Sequence, residues 1–356
     1  MQSRENRNPE GITVNNRPNL VSTGERNFHV AGLGNALVDA LVRIDDDSVI
    51  EELGFDRGRM SVVDDQTWQK AYSRVSSHGV ELQSGGSCAN SIAALGLLGA
   101  KAVYCGQIGS DDMGRLYEER IREACGQHAL KKTGTHPTGK CLSIISGSDA
   151  ERTMLTNLGA AVTMTGLTDF EEVIRGSHVL HLTAYLLLDE PMRSRAYEAI
   201  AVANQEEIVI SLDVADPFVI SVAREPVVHI LDEFADIVFM NADEASALCD
   251  GPPENVLDML ADSVDTIVLK LGAKGSIVQH NGERIRMGIQ PVTAVDTTGA
   301  GDAYAAGFLY GYVHGWSMQR SAHLGSHVAS LTVGQMGAVV RSQDTLAKAL
   351  SKALDL

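Results

Sequence analysis

The chain has 356 residues, 44% of them hydrophobic, which is enough for one large domain or a domain with a smaller companion. Its formal net charge of −17 makes nucleic acid and anionic membrane poor partners, and no run of about 18 apolar residues offers a membrane span. The five cysteines form no CxxC pair, which argues for reduced thiols in a cytoplasmic setting and against a zinc site.

Residues 1–27 are polar, rich in Asn and Arg, and lack the cationic-then-apolar order of a signal segment, so a flexible tail is expected there. Residues 28–34 read as a first buried strand, and from there strands and helices alternate. Strands are expected at 102–105, 178–182, 208–212, 237–240 and 266–271, with helices at 113–123, 191–204 and 253–260. This order predicts an α/β fold with a mostly parallel sheet across residues 28–356. Two segments, around 41–84 and 137–157, break the pattern with short alternating strands and a turn at 146–149. They predict a small β lid made from two insertions. Residues 276–287, centred on Asn281-Gly282, read as a further hairpin.

The run Val295-Asp296-Thr297-Thr298-Gly299-Ala300-Gly301-Asp302 leads straight into an apolar stretch that reads as a buried helix. Glycines let the backbone curl so that several N–H groups face one spot, and the helix dipole adds positive charge. Asp302 at the lip would repel the anion such a site attracts. It makes sense if it takes a proton from a hydroxyl while a phosphoryl group sits on the amides. An ordinary helix start with an acid in its first turn is the plainer alternative. Two other phosphate signatures fail. Gly32-Leu33-Gly34-Asn35-Ala36-Leu37 has Leu37 where a dinucleotide fingerprint needs Gly or Ala. In residues 134–141, Pro137 removes an amide and Cys141 replaces the metal-binding hydroxyl of a P-loop, and the sequence runs on as a strand. A second glycine cluster, Ser84-Gly85-Gly86-Ser87-Cys88-Ala89-Asn90, precedes another helix. Asn90 offers a donor and an acceptor suited to sugar hydroxyls, or serves as a local cap. Asp39, just after the first strand, could accept two vicinal hydroxyl protons, or be a solvated charge.

Over residues 28–340 the chain resembles the ribokinase-like (PfkB-type) carbohydrate and nucleoside kinases. Two stretches carry the resemblance: Gly85 to Asn90, continuing to Gly106-Gln107-Ile108-Gly109-Ser110-Asp111-Asp112-Met113-Gly114, and Asp296 to Asp302. Residues 34–39 and 151–161 are similar to the adenosine-kinase branch. The resemblance implies a three-layer α/β/α domain with a mostly parallel central sheet and a small β-sheet lid. It implies Mg2+ and ATP, and transfer of phosphate to a primary hydroxymethyl group. Adenosine to AMP, a purine salvage step, is the expected reaction. A sugar such as ribose, fructose or a related ketose is the alternative acceptor, and a catalytically silent binding protein is a remoter one.

Roles follow from the same resemblance. Asp302 is the expected base, the amides of Gly299, Ala300 and Gly301 the anion hole, and Arg152 the residue reaching the transferring phosphate. Asp39, Gly85, Gly86 and Asn90 are expected on the sugar hydroxyls, with Asn35 near a base or aglycone. Asn241, Lys270, Gly272, Gly275, Thr298 and Gly301 are expected on ATP, residues 325–330 beside its adenine, and Glu244 on Mg2+ through water. A monovalent cation (K+) site beside residues 296–298 and a monomer or homodimer are both compatible with the family.

Overall fold

The computed structural model describes residues 26–147 and 151–355. In chain order its strands are β1 (Phe28–Leu33), β2 (Leu37–Ile44), β3 (Met60–Val62), β4 (Glu81–Gly85), β5 (Ala102–Gly109), β6 (Ala129–Thr133) and β7 (Gly139–Ser146). They continue with β8 (Arg152–Asn157), β9 (Ser177–Thr183), β10 (Val209–Asp213), β11 (Ile237–Asn241), β12 (Thr266–Lys270), β13 (Ser276–His280) and β14 (Glu283–Met287). They form two sheets. The main one has nine strands in the order β14-β13-β12-β11-β10-β9-β1-β5-β6. Every neighbouring pair from β12 to β6 is parallel, and the β13–β14 hairpin closes the edge antiparallel.

Alternate residues of the parallel strands feed two different cores, as their period of two requires. Leu180, Ile210, Val238 and Ile267 face one side, packed under helices Glu190–Gln205 and Pro217–Glu233. Val179, Val209, Phe239 and Val268 face the other, packed under helices Ser87–Leu97 and Ala300–Val313. The result is the expected three-layer α/β/α arrangement, with a mostly parallel central sheet.

The small sheet runs β3-β8-β7-β2-β4. It begins at Leu37, not at residue 41, and the segment 41–84 is not strands alone. Helices Ser48–Glu52 and Asp65–Val75 lie within it. Asp64 caps the second of these by accepting from the Thr67 amide at 2.7 Å. Trp68, Ala71 and Val75 then pack one helix face against Ala40, Val42, Leu142 and Leu155 of the sheet. The turn expected at 146–149 lies partly outside the described residues, as does most of the expected tail. Arg26 of that tail is described, and it donates to the carbonyls of Ser177 at 2.6 Å and Glu206 at 2.8 Å. The P-loop lookalike runs into β7, as expected.

Candidate active site

Helix Ala300–Val313 is made of small and apolar residues and is wrapped by protein on nearly every side. It crosses helix Met318–Val333 closely because Gly307 faces Gly325, where a Cβ would come within 2.8 Å of the Gly325 Cα. Its N-terminus opens into a cleft of about 610 Å³. Gly299 caps it at φ +70°, and a Cβ there would strike Ala338 at 2.5 Å, so only glycine serves. The Ala300 amide already closes a turn on the Thr297 carbonyl at 3.3 Å. Of the amides expected to form an anion hole over 299–301, that of Ala300 is thus already engaged, while those of Gly301 and Asp302 lie in the first turn, where helix amides lack intrahelical partners.

Asp302 faces a second helix start. Its Oδ1 accepts from Ser87 Oγ at 2.6 Å and its Oδ2 from Asn90 Nδ2 at 2.9 Å. Burial pushes its carboxyl up to about 6, while the Ser87 and Asn90 hydrogen bonds pull the other way. Asp302 is thus an acid whose carboxyl burial raises, beside the open start of the helix.

On the far side of Asp302, the sequence-predicted acceptor residues come together. The Asp39 carboxylate of β2 is pressed against Gly85, where a Cβ would stand 2.1 Å from its Oδ2. Gly86 has φ +90°, and a Cβ there would lie 2.3 Å from the Asn35 carbonyl oxygen. Burial raises Asp39 to about 7, Arg152 opposes this and Asp302 adds to it. The Oδ1 atoms of Asn35 and Asn90 are buried and accept nothing from protein. Asn90 is only 5% exposed. A carboxylate and two orphan amide oxygens form a set of acceptors waiting for donors, which is what a polyhydroxyl molecule supplies. Arg152 pairs with Asp296, the first residue of the glycine loop, while its neighbour Glu151 pairs with Arg57. Although burial works against it, the amides of Thr298 (2.8 Å) and Gly337 (2.9 Å), with Arg152, hold the Asp296 carboxyl below the usual carboxylate range.

The cleft itself lies at the carboxyl ends of β10, β11 and β12, where α/β sheets place ligands. Asn241 and Glu244 form a capping box on helix Ala242–Cys249, with Asn241 N to Glu244 Oε2 at 2.8 Å and the return bond at 2.9 Å. Burial raises Glu244 to about 7, with Asp213 adding and Lys270 opposing. Lys270 is mostly enclosed and paired with Asp213 at 2.9 Å. Gly272 (φ +57°) and Gly275 (φ +87°) shape the turn after it, and both line the cleft. Ser326, Ala329 and Ser330 also line the cleft, within the stretch expected beside adenine. Thr298 is the exception. Its amide is taken by Asp296, and Thr297 lines the cleft in its place. Asp213, Ser87 and Tyr185 also line the cleft without having been singled out. For Asp213 the available signal was its place at the end of an apolar parallel strand.

The pfkB family carbohydrate kinase model matches residues 59–345. A 5-dehydro-2-deoxygluconokinase of Bacillus licheniformis is 30% identical over 264 residues, covering 70% of this chain and 81% of that protein. The adenosine kinase of Saccharomyces cerevisiae is 25% identical over 275 residues, covering 72% of this chain and 79% of that one. Among solved structures, the adenosine kinase from Sinorhizobium meliloti superposes with a TM-score of 0.83 at 33% identity, covering 92% and 99% of the two chains. A probable sugar kinase from Rhizobium etli gives 0.82 at 28% identity, covering 93% and 100%.

Proposed function

The chain belongs to the PfkB family of carbohydrate kinases and is a phosphotransferase, and from that premise we propose that it transfers the γ-phosphoryl group of ATP to the primary hydroxymethyl of a nucleoside, with adenosine as acceptor. The observation that carries the chemistry is Asp302. It lies between an open helix N-terminus and a group of hydroxyl-accepting side chains. Similarity to the Sinorhizobium meliloti adenosine kinase over nearly the whole chain supports the nucleoside. The 30% identity to 5-dehydro-2-deoxygluconokinase supports a second reading, a sugar-derived acceptor bound through the same hydroxyl contacts.

In this reading Asp39, Asn35 and Asn90 receive the acceptor's hydroxyl donors, and Gly85 and Gly86 allow it close to the backbone. Asp302 takes the proton of the attacking hydroxyl. The acceptor oxygen bonds to the γ-phosphorus as the bond to the β-phosphate oxygen breaks, and ADP leaves with that electron pair. The Gly301 and Asp302 amides, the helix dipole and Arg152 meet the charge on the phosphoryl oxygens. Among the described residues no group of three or more His, Cys, Asp or Glu could cage a metal. Glu244, at the cleft wall, would instead suit Mg2+ held through water, an ion that keeps several waters and draws further oxygens from phosphates. When bound, that ion neutralises charge on the nucleotide's phosphates. A K+ ion beside residues 296–298 belongs to the same reading. So does a cytoplasmic, purine salvage role; no helix among the described residues is long and apolar enough to cross a membrane.

The test measures ADP release from Mg·ATP, with and without K+, offering adenosine, inosine, guanosine, ribose, fructose and 5-dehydro-2-deoxygluconate. Adenosine should turn over fastest, and Asp302→Asn should lower that turnover by roughly 10²–10⁴-fold while nucleotide affinity is kept. Turnover with the keto-acid sugar alone would move the acceptor to the second reading. Undiminished turnover in the variant would remove Asp302 as base.

A further inference from the structure

Lys270 ends β12 at the cleft, and its ammonium is enclosed. Its Nζ donates to Asp213 Oδ2 at 2.9 Å, the two side chains being 13% and 4% exposed. Burial alone would disfavour the charge, but Asp213, Glu244 and Asp302 around it keep Lys270 protonated. The informative contact is with a side chain that is not there. A Cβ on Gly301 would lie 3.0 Å from Nζ. The ammonium therefore stands over the second residue of the anion-binding helix, and glycine at 301 keeps the space between them clear.

A buried ion pair kept for stability alone needs no such opening, and such pairs stabilise weakly. Here the pair, the helix N-terminus and Asp302 line one cleft. Asp213 holds the ammonium from β10, and Gly301 leaves it a way towards whatever sits on the helix amides.

Resting on the phosphotransfer reading above, we propose that Lys270 is a further catalytic residue: its ammonium turns from Asp213 to the phosphoryl group being transferred over Gly301, and Asp213 is the positioning residue that holds it ready. As the acceptor oxygen bonds to phosphorus and ADP departs with the electron pair of the broken bond, the acceptor proton goes to Asp302. Lys270 keeps its own proton throughout and meets the charge on the equatorial phosphoryl oxygens. Because the γ-phosphoryl group is what distinguishes ATP from ADP, Lys270 should matter for one and not for the other.

The experiment measures by calorimetry the affinities of ADP and of the non-hydrolysable β,γ-methylene analogue of ATP, together with kcat on the accepted alcohol. It compares the full-length wild type with Lys270→Met, Lys270→Arg and the double variant Asp213→Asn, Lys270→Met. The double variant removes both charges of the pair, so that no orphan buried carboxylate disturbs folding. Both Met variants should bind the analogue at least about tenfold more weakly, with ADP changed less than about threefold. Their kcat should fall about 10²–10³-fold, the usual scale for one lost charge-stabilising donor. Lys270→Arg should recover part of the preference for the analogue. Equal losses for ADP and analogue, or an undiminished kcat in the double variant, would overturn the assignment. If the wild type phosphorylates no acceptor, the phosphotransfer reading fails, while the comparison of analogue with ADP still decides for or against Lys270.

Discussion

At Asp39, what suits the chemistry opposes the charge. Burial raises its carboxyl to about 7 in the folded chain, whereas an unfolded Asp releases its proton near about 4. Between those values the folded protein holds a proton that the unfolded chain has lost. The group's contribution to stability is therefore present in full below about pH 4 and is lost as the pH rises through about 7. Asp39→Asn should raise Tm near about pH 8, with the gain vanishing towards about pH 4, while the acceptor KM rises at least about tenfold. Thermal melts at the two pH values check the first part, and an unchanged Tm at the higher one would contradict it. Residues such as Asp302, Asp39 and Gly299 were legible in the sequence because an acid or a glycine in a small-residue loop carries its reason in its identity. Asp213 was not, since a single acid after an apolar strand is commonplace. Nor does sequence tell which of two adjacent threonines faces a ligand, and here it is Thr297 that lines the cleft.

At the scale of elements, β4 shows how a strand edge can set a side chain's position. Gly85 pairs with Leu37 across β2, two residues from Asp39. Its backbone does not require glycine, as its φ is not positive. The requirement is space for the Asp39 carboxylate. Gly85→Ala should therefore fold well but displace Asp39, raising the acceptor KM by about tenfold or more, with nucleotide affinity unchanged. Steady-state kinetics against each substrate separates the two, and a matching loss of nucleotide affinity would point to wider disruption. The parallel strands were readable as apolar runs because both their faces are covered. Of the segment 41–84 the sequence showed the short strands but not helix Asp65–Val75, which fully buries only Trp68, Ala71 and Val75 and carries mostly polar residues elsewhere. Its period becomes visible once Asp64 is recognised as the cap that starts it.

For the whole molecule, the covering of the small sheet decides what it can join. One face packs beneath helices from its own chain, with Trp68 0% exposed. That face offers no second copy an apolar surface. Met60 and Val62 remain exposed on β3, but that edge strand is only three residues long. Sedimentation velocity should give a monomer near 38.0 kDa. A dimer would show that β3 or another exposed edge pairs despite its length.

The chain leaves the main sheet between Leu33 and Leu37 and passes from the small sheet into helix Ser87–Leu97 of the main body between Gly85 and Ser87. Asn35, Asp39, Gly85, Gly86 and Asn90 all sit on or beside those two passages, whereas Gly301, Asp302 and Lys270 belong wholly to the main body. In the proposed reading, recognition of the alcohol and delivery of phosphate are thus inscribed on different stretches of backbone. Over generations, drift in residues 37–85 could recruit a new alcohol while Gly301, Asp302 and Lys270, with Arg152 on β8, are inherited intact.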